Sequence, residues 1–224
     1  MEAPASKWKA SRSILATRVA ATTSPQPQPG QADPNTTLRA GGWLFKHRSW
    51  LPVPLAAAIL FVPGAGGIEP TAWLLGAAFV FSGEALRLWA VRHIGVISRT
   101  RADRLGRLIS TGPFSLARNP LYLGNIAMWV GFAVSARLLW LAPLIILVAG
   151  LGYHAIVRWE EQLLAARFGD SYREYAARVP RWVPTRARAA RATSAYSWRE
   201  TLFSEPGTLV AIAVGFALLW LKTR

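Results

Sequence analysis

Residues Thr71 to Val91 and Leu138 to Val157 form two nearly unbroken apolar stretches. Each reaches the roughly 20 residues that a helix needs to cross a bilayer core. A chain holding two such stretches has few folds open to it, because backbone polar groups in lipid must be satisfied within helices or a closed barrel. Three further apolar stretches, Trp50 to Ile68, Leu121 to Ser135 and Gly207 to Leu221, extend the pattern. The first is interrupted by Pro52, Pro54 and Pro63, and the other two are short, so their ends are less sharply defined. The expected fold class is therefore all-α, a polytopic helical membrane bundle of about five transmembrane helices. The composition agrees: 52% hydrophobic residues, 11 tryptophans and a mean hydropathy of +0.25 are unusual for a soluble protein.

The formal charge of +15 would point to nucleic acid if the chain were soluble. Its distribution argues otherwise. Lys and Arg number seven before the first stretch, none between the first and second, and six from Arg92 to Arg118. One lies between the third and fourth, nine from Arg158 to Arg199, and two after the fifth. Basic loops alternating with neutral ones are what the positive-inside rule produces. They predict a cytoplasmic N-terminus, an external C-terminus and no nucleic-acid partner, in a bacterial inner membrane or an organelle membrane. The absence of cysteine excludes disulfides, thiolate metal centres and thiol nucleophiles. His93 and His154 stand alone, and no metal site is expected.

Residues 1–40 read as a disordered basic tail containing the Pro-rich run Ser24 to Gly30, 41–98 as the first two spans, and 99–184 as the core. A basic linker follows over 185–206, and a last span over 207–224. Two polar motifs occupy the core. The first runs from Leu108 to Gly124 and contains the Gly112-Pro113 turn and Arg118-Asn119-Pro120. A helix should start there, with Asn119 as N-cap and Pro120 in its first turn. Its exposed N–H groups, together with Arg118, suit a carboxylate or phosphate. The second motif runs from Glu160 to Pro184. Glu160 and Glu161 stand where the fourth span leaves the membrane, an unfavourable place for acids if a helix ends there. Leu163, Leu164 and Phe168, then Tyr172, Tyr175 and Val179, recur at helical spacing on either side of Gly169, as in interfacial amphipathic helices. The third and fourth spans are joined by a few residues and must form an antiparallel hairpin, which brings Arg118-Asn119 and Glu160-Glu161 to one membrane face. A basic corner beside an acidic one suits a zwitterion such as an amino acid. Glu84 and Arg87, three residues apart inside the second span, can pair on one helix face.

The ordered pattern Gly-Pro-Phe, Arg-Asn-Pro-x-Tyr-x-Gly, one helical hairpin, then Glu-Glu with Phe-Gly-x2-Tyr-x2-Tyr-x3-Val-Pro-Arg resembles integral-membrane methyltransferases. These are the enzymes related to isoprenylcysteine carboxyl methyltransferase and phospholipid methyltransferase. The resemblance covers roughly residues 99–184. It implies a helical bundle whose cytoplasmic interfacial helices form a pocket for S-adenosyl-L-methionine, and a lipid or small hydrophobic methyl acceptor drawn from the bilayer. Carried over by position, cofactor contacts fall on Arg107, Leu108, Ile109, Phe114, Asn119, Pro120 and Tyr122, with Glu160, Glu161 and Arg118 in the catalytic group. Two positions depart from the pattern. Asn119 stands where the family often has histidine, which weakens a histidine-based acid–base role. Ile156 stands where isoprenylcysteine enzymes carry an arginine one turn before the glutamates, so the resemblance does not extend to a prenylcysteine acceptor. The alternatives are a sterol-reductase-like enzyme using NADPH and a non-catalytic membrane protein of the same fold.

Overall fold

The computed structural model describes residues 34–64, 67–94, 108–184 and 197–224, and Asn35–Arg224 form one compact unit. Eight α-helices are present among the described residues, and no strand. In chain order they are α1 (Pro34–Lys46), α2 (Pro52–Phe61), α3 (Pro70–Ile94), α4 (Pro120–Ser135), α5 (Leu141–Phe168), α6 (Asp170–Arg178), α7 (Trp198–Ser204) and α8 (Pro206–Thr223); a 3-10 turn covers Gly112–Ser115. Three helices, α3, α5 and α8, are long and apolar enough to cross a membrane, while α2 and α4 are shorter apolar helices. The helical membrane bundle read from the sequence is observed. Its five apolar segments fall in their expected order, but only three have full spanning length.

Proline explains the shortest. The stretch Trp50 to Ile68 yields only the ten residues of α2, which open on Pro52 and end one residue before Val62. Val62 precedes Pro63 and is extended, with φ −74° and ψ 125°, as the bulk of a following proline ring favours. At 1.5 Å per residue α2 spans about 15 Å, roughly half a hydrocarbon core. Its last carbonyls are met from another helix: the Lys222 ammonium at the end of α8 donates to Ile59 O at 2.5 Å and Val62 O at 2.6 Å.

The tightest helix pair is α3 with α4, and glycine sets its spacing. Gly76 and Gly83, seven apart on α3, face Gly131 and Gly124, seven apart on α4 in the opposite sense. A Cβ added at Gly83 would lie 2.6 Å from Gly124 O, and one at Gly131 would lie 2.6 Å from Gly76 O, so the backbones touch directly. Membrane helices associate through such small-residue seams because lipid gives apolar side chains no incentive to leave it. Val80, Phe132, Ala133, Leu138, Ile145 and Ile212 fill the adjoining core.

Two expected coil regions contain helix. α1 begins at Pro34, within the stretch read as tail, and α7 lies within the stretch read as linker. A capping box starts α7: the Ser197 hydroxyl accepts from the Glu200 N–H at 3.2 Å, and the Glu200 carboxylate accepts from the Ser197 N–H at 2.7 Å. The Ser-x-x-Glu spacing was there to be read.

Candidate functional site

The hairpin of α4 and α5 delivers the two motifs to one place. Between the helices, the chain turns through Ala136 to Trp140, with Arg137 in the left-handed region at φ 57°. Gly112 is also left-handed, at φ 59°, which lets the Gly112-Pro113 turn lie against the His93 imidazole. Pro120 occupies the first turn of α4 as expected. Asn119 does not act as its side-chain cap; instead its Nδ2 donates to Arg181 O at 3.3 Å. With Arg118 N donating to Pro180 O at 2.9 Å, this staples the first motif to the end of the second.

Glu160 and Glu161 are not at a helix end. α5 runs on to Phe168, seven residues beyond Glu161, and turns at Gly169 with φ 53°. The unfavourable helix-terminus charge expected for them is therefore absent, and what they touch decides their roles. Glu161 is the hub of an ion-pair cluster. Arg181 grips it with both fork nitrogens, Nε at 3.0 Å and Nη2 at 2.5 Å, and Arg118 Nη1 lies 3.2 Å away. Its hydrogen bond to Glu161 raises the pKa of Arg181 above the ordinary arginine range. Glu160 has a different setting, accepting from the Tyr122 hydroxyl at 3.1 Å, with the Tyr122 ring stacked on Tyr153 at 4.7 Å between centroids.

Over these groups folds α6. Tyr172, Tyr175 and Val179 are buried against Leu108, Leu164 and Phe168. The Tyr175 hydroxyl donates to Phe114 O at 2.8 Å, locking α6 onto the first motif. Burial, reinforced by nearby Glu161, pushes the Tyr172 phenol to about 12, so it stays neutral at physiological pH. The aromatic repeat thus forms a wall.

These elements enclose a cavity of about 1140 Å³. Every described residue of the expected site lines it: Leu108, Ile109, Phe114, Arg118, Asn119, Pro120, Tyr122, Glu160 and Glu161. Arg107 lies outside the described residues. Sequence reasoning missed several other lining residues, among them Arg48, Asn125 and Tyr153. It also missed Arg181, although the Val-Pro-Arg signature contained it. Arg87 lines the cavity too, and it is bound from three helices: Glu84 at 3.1 Å, Glu205 at 2.9 Å and Thr208 at 3.2 Å, with Asn125 completing the set. The expected Glu84–Arg87 pair is thus one edge of a larger network. Among the described residues no group of three or more His, Asp or Glu side chains could hold a metal ion.

The cavity can hold a ligand bearing charges of both signs. Arg118 Nε is buried and has no hydrogen-bond partner among the described residues, an orphan donor that an anion would satisfy. The Glu160 carboxyl, an acidic group where Arg118 is a basic one, lines the same cavity. The volume of about 1140 Å³ slightly exceeds the 300–1,000 Å³ usual for a single small-molecule site, and apolar residues of three helices add to its lining. These include Ala56 and Ile59 of α2, Trp129 and Phe132 of α4, and Gly215 and Leu218 of α8.

Removing the hub tests its structural weight. Glu161→Ala leaves two partly buried guanidinium groups without the carboxylate they share, and losing a hydrogen bond to a charged group costs about 2 kcal/mol. The expected result is a clear fall in the thermal unfolding midpoint in detergent, with Arg181→Ala causing much less additional loss in the Glu161→Ala background than in the wild type.

Residues 71–171 match the phospholipid methyltransferase family model. The chain is 31% identical over 138 residues to a nickel-cobalt-cadmium resistance protein of Alcaligenes xylosoxydans, covering 62% of this chain and 55% of that protein. It is 30% identical over 117 residues to a cobalt-zinc-cadmium resistance protein of Cupriavidus metallidurans, covering 52% and 51%. A third relative, protein-S-isoprenylcysteine O-methyltransferase B of Arabidopsis thaliana, is 29% identical over 134 residues, covering 57% and 66%. The chain thus spans about half the length of the two metal-resistance proteins it matches. No solved structure matches it.

Proposed function

We propose, from the premise that residues 71–171 form a membrane domain of the phospholipid and isoprenylcysteine methyltransferase-like family, that this protein is an S-adenosyl-L-methionine-dependent methyltransferase. It would act on a lipid or small hydrophobic acceptor at the cytoplasmic face of the membrane, with the N-terminus on that side and the C-terminus outside. The observation that carries the reading is the convergence of Arg118 and Glu160, from two separate sequence motifs, on a single cavity whose lining also includes apolar residues of α2, α4 and α8.

Bound there, the cofactor would supply a sulfonium whose methyl group is already electrophilic, so the protein's task is mainly to position the partners. Arg118 Nε and the N–H groups opening α4 suit the methionine carboxylate. Glu160 suits the ammonium, or orients the acceptor. Phe114 and Tyr122 offer aromatic surface for the adenosine. Glu161 has the supporting task of holding Arg118 and Arg181 in place. Tyr153 and Asn125 back Tyr122 from inside the bundle, Asn125 Nδ2 lying 3.5 Å from the Tyr153 hydroxyl. The apolar residues that α2, α4 and α8 contribute to the lining offer contact for an acceptor's hydrocarbon.

The direct test is calorimetric titration of the detergent-purified protein with S-adenosylhomocysteine, and with NADPH in parallel. Saturable binding of S-adenosylhomocysteine and none of NADPH is the expected outcome. A folded protein that binds NADPH instead would replace this reading with the reductase one.

A further inference from the structure

α1 lies ahead of the family-matched residues 71–171, and its two faces differ in character. Glycine makes the inner one. A Cβ on Gly41 would sit 2.9 Å from Trp159 Cβ, and one on Gly42 would sit 3.0 Å from Trp159 Nε1, so α1 rests directly on α5. Phe45 completes that face on the Trp159 ring, with 4.9 Å between centroids. Trp159 immediately precedes Glu160, which sets α1 at the end of the bundle that carries the charged part of the cavity. Phe45 and Ser49 line the cavity themselves, so whatever holds α1 also holds a piece of that wall.

At about 100° per residue, Arg39, Ala40, Trp43, Lys46 and His47 fall on one arc of α1, opposite Gly41 and Phe45. All five are exposed. Trp43 is 60% exposed and Trp50, in the following turn, 71%. Water is a poor setting for such rings, whereas tryptophan is enriched at headgroup level, where its apolar body and polar N–H both find partners. The His47 ring stacks on Trp43 at 4.4 Å. Arg39 and Lys46 make no ion pair among the described residues, and the sequence over residues 34–68 contains neither Asp nor Glu. From Pro52 onward α2 is uncharged and apolar, so Trp50 stands where the charged chain gives way to the apolar one. A cationic face bearing tryptophans at that boundary is complementary to a layer of anionic headgroups. We infer that the outer face of α1 binds anionic phospholipid headgroups at the bilayer surface. Their phosphate oxygens meet Arg39 and Lys46, while Trp43 and Trp50 lie at the boundary with the acyl chains. These lipids are a support outside the cavity and not acceptors within it, so the inference stands whether or not the protein transfers methyl groups.

The chain has no cysteine, so a single introduced one can carry a fluorophore. Ala40→Cys places the probe on the outer face of α1, and Leu147→Cys places it on the exposed side of α5 as a control. Each labelled full chain is reconstituted into vesicles of equimolar phosphatidylcholine and phosphatidylglycerol, in which one lipid or the other carries a nitroxide quencher on its acyl chain. A basic side chain near an anionic surface favours the anionic lipid about fivefold. Labelled phosphatidylglycerol should therefore quench the Ala40 probe at an amount about fivefold or more below that needed of labelled phosphatidylcholine. Both lipids should quench the Leu147 probe alike. Replacing both cations, Arg39→Gln with Lys46→Gln, should bring the two lipids within about twofold at Ala40, whereas the charge-keeping pair Arg39→Lys with Lys46→Arg should retain the preference. Salt at about 1 M, which confines charge interactions to about 3 Å, should weaken it as well. Equal quenching of the Ala40 probe by both lipids, an undiminished preference in the glutamine pair, or the same preference at Leu147 would each overturn the inference. Quenching by neither lipid at Ala40 would overturn it too and leave this face to a protein partner.

Discussion

Replacing Glu160 with glutamine is expected to lower the affinity for S-adenosylhomocysteine by about tenfold to a hundredfold while leaving the protein as stable as before, or slightly more so. The two effects have one cause. Glutamine keeps the shape of the side chain and a carbonyl oxygen that can still accept the Tyr122 hydroxyl bond, observed at 3.1 Å. What it removes is an acidic group at a partly buried position, and a charge withdrawn from water costs free energy unless a partner offsets it. In the free protein that change is neutral or favourable. In the proposed complex, the ammonium of the ligand would lose its carboxylate, and a hydrogen bond to a charged group is worth about 1.5–3 kcal/mol. Stability and binding should therefore move in opposite directions, as functional charges often make them do. Calorimetry beside a thermal melt reads both. A folded Glu160→Gln protein that binds as tightly as wild type would remove Glu160 from the cofactor site. Glu161→Ala should show the contrary pattern, losing stability first, because its carboxylate is already engaged by Arg118 and Arg181.

That division between adjacent glutamates shows where sequence reading stopped. The motifs, their order and the short hairpin between them were enough to bring Arg118 and Glu160-Glu161 to one membrane face, since an antiparallel pair of helices sets the start of one beside the end of the other. The roles within the pair were not legible. Arg118 and Arg181 reach Glu161 and Tyr122 reaches Glu160 because neighbouring side chains on a helix project about 100° apart, which a linear pattern does not reveal. Asn119 looked like a cap by residue type, yet its amide binds Arg181 O, a partner 62 positions away. Arg48 escaped notice because it lies in the turn between α1 and α2, within residues 41–98 read as spans, and it reaches the cavity wall only through the folding of that turn. The truncation of α2 at Pro63 and the start of α7 at Ser197 were written in local residues and could have been read more sharply. The Arg87 network, joining α3, α4 and α8, depended on which helices become neighbours.

The glycine seam between α3 and α4 was equally present in the sequence, as two pairs of glycines spaced by seven, and it predicts the largest loss of stability. Leucine at Gly131 would place its Cβ 2.6 Å from Gly76 O and 2.8 Å from Val80 N. Both are backbone atoms in the middle of α3, so no side-chain rotation relieves the clash and the helices must part. Parting them pulls Gly83 from Gly124 one heptad along, and then Arg87 from Asn125, on the wall of the cavity itself. Substitutions that force packed elements apart belong with the most damaging, at roughly 4 kcal/mol or more. Gly131→Leu should therefore yield little monodisperse protein in mild detergent, and what remains should fail to bind S-adenosylhomocysteine. Gly150→Leu is the matched control, because a Cβ there meets nothing within 4 Å, and the same residue change in α5 should leave both yield and melting midpoint close to wild type. If the two substitutions proved equally harmful, the damage would come from leucine in a membrane helix as such, and the seam would not be what holds α3 to α4. If Gly131→Leu were tolerated, the close backbone contact would have to be dispensable, and with it the argument that glycine spacing fixes the floor on which Arg87 and Asn125 stand.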